Sequence, residues 1–165
     1  MNKKIKKDLI VLFILLCLSA LLFFLIDLFT LKNDHDGVSG NGNLGLLFVF
    51  PAIPLYVIML AYAFRISQLH FRTRKNLKSY IWTLFLLLFL FIYGAYKQIQ
   101  SLLQDLGGEP NEPQSIIYGW PWLNQYTNTL FFNFFTFTAG IMLILLVSSI
   151  VVHFRIRKKI KSQQT

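Results

Sequence analysis

The sequence predicts an all-α integral membrane protein, a four-helix bundle in up-down order with both termini on the inner side. Three observations carry this: four apolar stretches of hydrocarbon length, basic charge gathered at alternate ends of those stretches, and more apolar mass than a soluble chain of this size can hide. The 165 residues are 55 % apolar and their mean hydropathy is +0.55. One domain of this length has too little interior for that much hydrocarbon. Phe alone supplies 17 residues, crowded into runs such as Phe131-Phe132-Asn133-Phe134-Phe135.

A helix rises about 1.5 Å per residue, so roughly 20 apolar residues cross the ~30 Å hydrocarbon layer. The first span is residues 9–31, whose only charge is Asp27. The second, residues 44–64, and the third, residues 79–96, carry none. The fourth, residues 129–153, holds only the terminal His153 as an ionisable group. These runs are too long for barrel strands and lack their alternation, and a helix satisfies its own backbone in lipid. The basic start resembles a secretory signal. However, 18 residues free of charge run from Leu9 to the residue before Asp27, beyond the roughly 7–15 of a signal core, and no small-x-small site follows. The first span therefore reads as a retained anchor. Cys17, the one cysteine, has no internal partner for a disulfide and reads as a buried small apolar side chain.

Charge gives the orientation. Lys3, Lys4, Lys6 and Lys7 precede span one. Arg65, Arg72, Arg74, Lys75 and Lys78 lie in the connector 65–78, and Arg155, Arg157, Lys158, Lys159 and Lys161 in the tail 154–165. Of the 16 basic residues only Lys32 and Lys97 remain for the other side. Lys and Arg accumulate on the cytoplasmic side, so both termini are expected there, with the basic segments lying against anionic lipid headgroups. A net charge of +9 distributed in this way argues for a membrane surface and against nucleic acid as the partner.

The outer loops are residues 32–43 and 97–128. The first is rich in Gly and Asn and reads as a turn. Its Asp34, His35 and Asp36 are adjacent, so they do not converge easily on one ion and read as solvated. In the second, Ile99, Leu102, Leu103 and Leu106 make an apolar stripe opposite Gln98, Gln100, Gln104 and Asp105. That spacing predicts a short amphipathic helix continuing span three near residues 98–106 and bending onto the interface. Gly107-Gly108 should end it. Glu109-Pro110 and Glu112-Pro113 should then extend the chain. Tyr118, Trp120 and Trp122 follow as candidate interfacial anchors, since such rings favour the membrane–water boundary.

Polar groups within the spans are the candidate site. Asp27 lies about 27 Å along the helix from Leu9, close to the outer boundary, at the level of Lys97. An Asp27–Lys97 pair would fasten two helices. In span four, Thr129, Asn133, Thr136 and Gly140 fall at i, i+4, i+7 and i+11 and share one face. That face reads as a packing seam or, with Asp27, Tyr93 and Tyr96, as a polar groove in the outer half. Pro51 and Pro54 each remove a backbone donor, and Asn133 is a candidate to reach a carbonyl freed there.

Chemistry of known small membrane enzymes is missing. Lipoprotein signal peptidases need a second intramembrane aspartate, quinone-linked disulfide oxidoreductases need paired cysteines, and acid-type lipid phosphatases need outer His and Arg clusters. There is no phosphate loop and no metal-ligand spacing. No catalytic residue, cofactor or metal is therefore expected. The Lys-rich start, and Tyr118-Gly119-Trp120-Pro121 leading into a Phe-rich last span with Asn133, resemble small uncharacterised four-helix membrane proteins of low-GC Gram-positive bacteria. This resemblance covers about a quarter of the chain and implies no site residues. The expected role is non-enzymatic: immunity, stress or an accessory subunit, acting by helix or lipid contacts with a membrane-protein partner or a second copy. The alternative is a small transporter, flippase or channel that uses the polar groove.

Overall fold

The computed structural model describes residues 3–31, 42–74 and 76–163. It is helical, with no strand among those residues. Helix α1 spans Lys3–Leu28, α2 Leu46–Phe71, α3 Leu77–Asp105, the single turn α4 Asn128–Phe131, and α5 Phe134–Lys161. Four segments are long and apolar enough to cross a membrane: Ile5–Leu28, Leu46–Phe71, Leu77–Asp105 and Asn128–Lys161. Most of loop 32–43, including Asp34, His35 and Asp36, lies outside the described residues.

Helices outrun the apolar spans. Apolar length sets what lipid can cover, whereas backbone hydrogen bonding carries the helix on into water. Thus α2 continues past Arg65, which pairs with Asp8 of α1 at 3.5 Å. Only residues 72–76 are left between α2 and α3. Gln68 of α2 accepts from Arg155 of α5 at 2.9 Å. These contacts place the amino end of α1, the carboxyl end of α2 and the carboxyl end of α5 together, at what we term the termini end. The opposite, loop end holds residues 106–127.

The helices pack in the order α1–α2–α5–α3. At the termini end Phe71, Leu77, Leu84, Leu146 and Val152 form one core. Beside it the buried Ser148 Oγ donates to the Phe64 carbonyl at 3.3 Å and accepts from Ser67 Oγ at 2.7 Å. Small hydroxyl-bearing residues of this kind let membrane helices approach and hydrogen-bond. A second core joins α1, α2 and α5 through Phe23, Ile26, Val49 and Ala52. Here Phe23 meets Phe137 edge-on at 5.0 Å and Tyr56 at 5.2 Å. Tyr56 Oη donates to the Phe137 carbonyl at 2.6 Å, and the ring lies where a side chain on Gly140 would have to be. Gly140 is therefore a seam residue, against α2.

Outside these cores the bundle presents hydrocarbon. Only 6 % of the most apolar window of α3 is buried, and Phe13, Phe50 and Trp82 stand exposed. Scattered exposed apolar residues are ordinary in soluble proteins, but continuous ones are not. Cys17 is on this outer surface, not in the interior as its apolar neighbours suggested. An apolar setting in the sequence does not distinguish a helix face turned to lipid from one turned to protein.

The loop end is a compact cap. Helix α3 ends in a Schellman motif: the Gly108 N–H donates to Leu103 at 2.8 Å and the Gly107 N–H to Gln104 at 3.1 Å, with Gly107 at φ +76°, the conformation glycine tolerates best. The stripe of α3 then packs inward, Leu102, Leu103 and Leu106 meeting Ile116, Ile117, Tyr126 and Leu31. The Glu-Pro pairs turn the chain instead of extending it. Pro110 and Pro113 each take the second position of a β-turn, closed by Glu112 N–H to Glu109 and Ser115 N–H to Glu112, both at 3.0 Å. A proline's fixed φ suits that position as well as it suits an extended chain. The Leu31 N–H donates to the Gln125 carbonyl at 2.9 Å, tying the cap to the end of α1.

Candidate functional site

The fourth span is not one continuous helix. Between α4 and α5 the backbone opens at Phe132 and Asn133, the latter extended at φ −139°, ψ 173°. Asn133 is buried and joins the two pieces. Its Oδ1 accepts from the Thr136 N–H at 2.9 Å, while Thr136 Oγ1 accepts from the Asn133 N–H at 3.1 Å, a reciprocal capping box. Its Nδ2 donates to the Thr129 carbonyl at 2.8 Å. That carbonyl, and not one freed by Pro51 or Pro54, is the acceptor. The break also cancels the single face expected for Thr129, Asn133, Thr136 and Gly140, because helical spacing does not carry through a non-helical residue.

The displaced α4 is pinned to the start of α2. Asn43 Nδ2 donates to Asn128 Oδ1 at 2.9 Å and Asn128 Nδ2 donates to Asn43 Oδ1 at 2.8 Å. Asn128 is wholly buried. Two amides facing each other satisfy two donors and two acceptors at once, an arrangement that repays burial of polar groups.

Beside this break, α1 and α3 stand apart over the first turns of α5 and leave a cleft of about 540 Å³. Its walls are largely aromatic: Phe23 and Phe24 from α1, with Phe134, Phe135 and Phe137 from α5. Asp27, Gln98, Asn133 and Thr138 supply the polar side chains. Toward the loop end lies a smaller chamber of about 220 Å³, where Asp27 and Gln98 recur with Thr30, Ser101, Asp105 and Thr129. Greasy below and polar above, the two share Asp27 and Gln98. The larger one falls within the roughly 300–1,000 Å³ of ligand pockets, which likewise combine apolar walls with a few polar groups.

Of the residues singled out from sequence, Asp27 and Asn133 come together here. Asp27 is half-buried in the last turn of α1, where a carboxylate opposes the helix dipole, so helix stability does not explain its position. Thr136 stands behind Asn133 as its capping partner. Tyr93, Tyr96 and Lys97 are exposed on α3 and lie outside the lining of both chambers; Gln98, the next residue, lines both. Tyr118, Trp120 and Trp122 are exposed on the cap, and the Trp120 ring lies 6.2 Å from that of Tyr126. Sequence reasoning missed Gln98, Ser101 and Asp105. Their spacing of i, i+3 and i+7 puts them on one face, a signal obscured by grouping Gln98 and Asp105 with Gln100 and Gln104. Compared with protein-family models, with curated proteins and with solved structures, the chain matches none.

Proposed function

We propose that the chain is a non-enzymatic multi-pass protein of the cell membrane, with both termini cytoplasmic, that acts by contact with lipid or with a partner's transmembrane helix. Its setting is immunity, envelope stress or service as an accessory subunit. The observation that carries this reading is the cleft between α1 and α3. Phe24 and Phe134 of its walls stand exposed on helices of hydrocarbon length, so acyl chains or a partner helix can reach its aromatic rings and its Gln98 amide. The orientation rests on the basic residues gathered at the termini end, which also set that end against anionic headgroups. The exposed rings of the cap suit the opposite interface. A transporter or flippase is the second reading. It is favoured by Asp27 and Gln98, which line both the apolar chamber and the polar one.

A photo-cross-linking residue tests the cleft in native membranes. Placed at Phe134, exposed within the cleft, it should give a discrete lipid or protein adduct; placed at Trp82, exposed elsewhere on α3, it should give only bulk lipid. Ala20→Trp fills the cleft and should abolish the Phe134 adduct while leaving the amount of protein in the membrane unchanged. Identical adducts at both positions, insensitive to Ala20→Trp, would end the reading. Flux of a solute lost in both Asp27→Asn and Gln98→Leu would move the balance to the transporter.

A further inference from the structure

At the termini end, far from the cleft, a second recess of about 500 Å³ lies between the start of α3 and the last turns of α5. Three cations line it: Arg74 and Lys78 flanking the start of α3, and Arg157 of α5, with His153, Asn76 and Ser79 beside them. No carboxylate is among the described residues that line it. Asp8, the acid of the neighbouring α1 amino end, is engaged by Arg65. Three like charges in one recess repel one another, and nothing from the described protein compensates them.

The recess is shaped as well as charged. The Arg74 guanidinium is held in place, its Nε 2.9 Å and its Nη2 2.6 Å from His70 Nε2, with its Cζ 5.3 Å from the centre of the Tyr80 ring. Fixing the fork in advance lowers the entropy lost when it binds an oxyanion. The start of α3 carries no side-chain cap, so its first N–H groups add donors and the positive end of the helix dipole. Ile156 and Ile160, exposed on α5, form an apolar wall on the same recess.

We infer that this recess binds a phosphate group, borne by an anionic phospholipid headgroup or free in solution, with Arg74, Lys78 and Arg157 as its cationic contacts. Arg157 brings a fork that matches phosphate oxygens, and Arg74, whose Nε and Nη2 face His70, brings its remaining N–H groups. Lys78 adds a point charge, and Asn76 and Ser79 complete the donors. The two sources differ at the isoleucines: an acyl chain would cover Ile156 and Ile160, whereas inorganic phosphate would leave them bare.

The test uses the full-length protein, purified in neutral detergent and in nanodiscs of phosphatidylcholine with or without phosphatidylglycerol. Native mass spectrometry reads the lipid retained, and phosphate titration in detergent reads the free anion. Wild type should retain phosphatidylglycerol selectively or bind phosphate saturably. Each of Arg74→Gln, Lys78→Gln and Arg157→Gln should weaken that by about tenfold, the scale of one charge-assisted contact. Lys159→Gln, a cation at the same end but outside the recess, should behave as wild type. Helical circular dichroism identifies any variant that fails to fold, and the three substitutions are read independently. Retained phosphatidylglycerol that inorganic phosphate does not displace assigns the site to lipid. Displacement, with saturable binding of phosphate alone, assigns it to the free anion. Equal loss in Lys159→Gln and in the recess variants would show diffuse surface charge and overturn the inference. So would the absence of both ligands from wild type.

Discussion

Asn133 does two jobs with one side chain. Its carbonyl oxygen caps α5 and its amide nitrogen closes the end of α4, so its removal loses both. Asn133→Ala should cost the ~1 kcal/mol of a lost cap together with the penalty of an unsatisfied buried carbonyl at Thr129. Asn133→Ser keeps an acceptor for the Thr136 N–H but cannot reach Thr129. Denaturant titration in micelles should therefore rank wild type above Ser and Ser above Ala. Gly140 makes a separate prediction. Gly140→Leu displaces the Tyr56 ring from α5, breaks its 2.6 Å bond to Phe137, and should destabilise by about 1–3 kcal/mol. Tyr56→Phe, which removes only the hydroxyl, should cost about 0.5–1.5 kcal/mol. Asn133 and Gly140 stood out in the sequence as polar or small positions in a greasy run. The break at Asn133 did not, because phenylalanines flank it on both sides and apolar content is blind to backbone direction.

Among the elements, the loop-end cap is built from signals that were present but admitted two readings. Gly107-Gly108 marked the end of α3, and the left-handed Gly107 is where it ends. The stripe from Ile99 to Leu106 was plain as a stripe; what it packs against, Ile117 and Tyr126, depends on a fold of 22 residues that no periodicity encodes. The prolines fitted turns or extension equally, and the hydrogen bonds of the folded loop chose turns. The clasp between Asn43 and Asn128 joins elements 85 positions apart, a pairing no local pattern reveals. A double-mutant cycle of Asn43→Ala and Asn128→Ala should give a coupling of about 1 kcal/mol, in the range of interhelical hydrogen bonds in membranes. Additive effects would mean that the two amides do not support each other.

For the whole molecule, the number of long apolar helices was legible, because each needs its own run of hydrocarbon length; their full lengths were not, since α2 and α3 run on past the apolar residues. Packing order was not. Helices apolar all round name no preferred neighbour, and the sequence offered an up-down bundle without showing that α2 and α5 occupy the middle. That order separates α1 from α3 and so creates the cleft, which makes the site a property of the packing and not of a motif. The proposed orientation puts the loop end and the termini end on opposite sides of one bilayer. Cysteine labelling in intact cells measures that directly, in a Cys17→Ser background, with a membrane-impermeant maleimide. A cysteine replacing Gln114, exposed on the cap, should react from outside. One replacing Ser162, exposed beyond α5, should react only after the cells are broken. Labelling of both from outside, or of Ser162→Cys alone, would contradict the account.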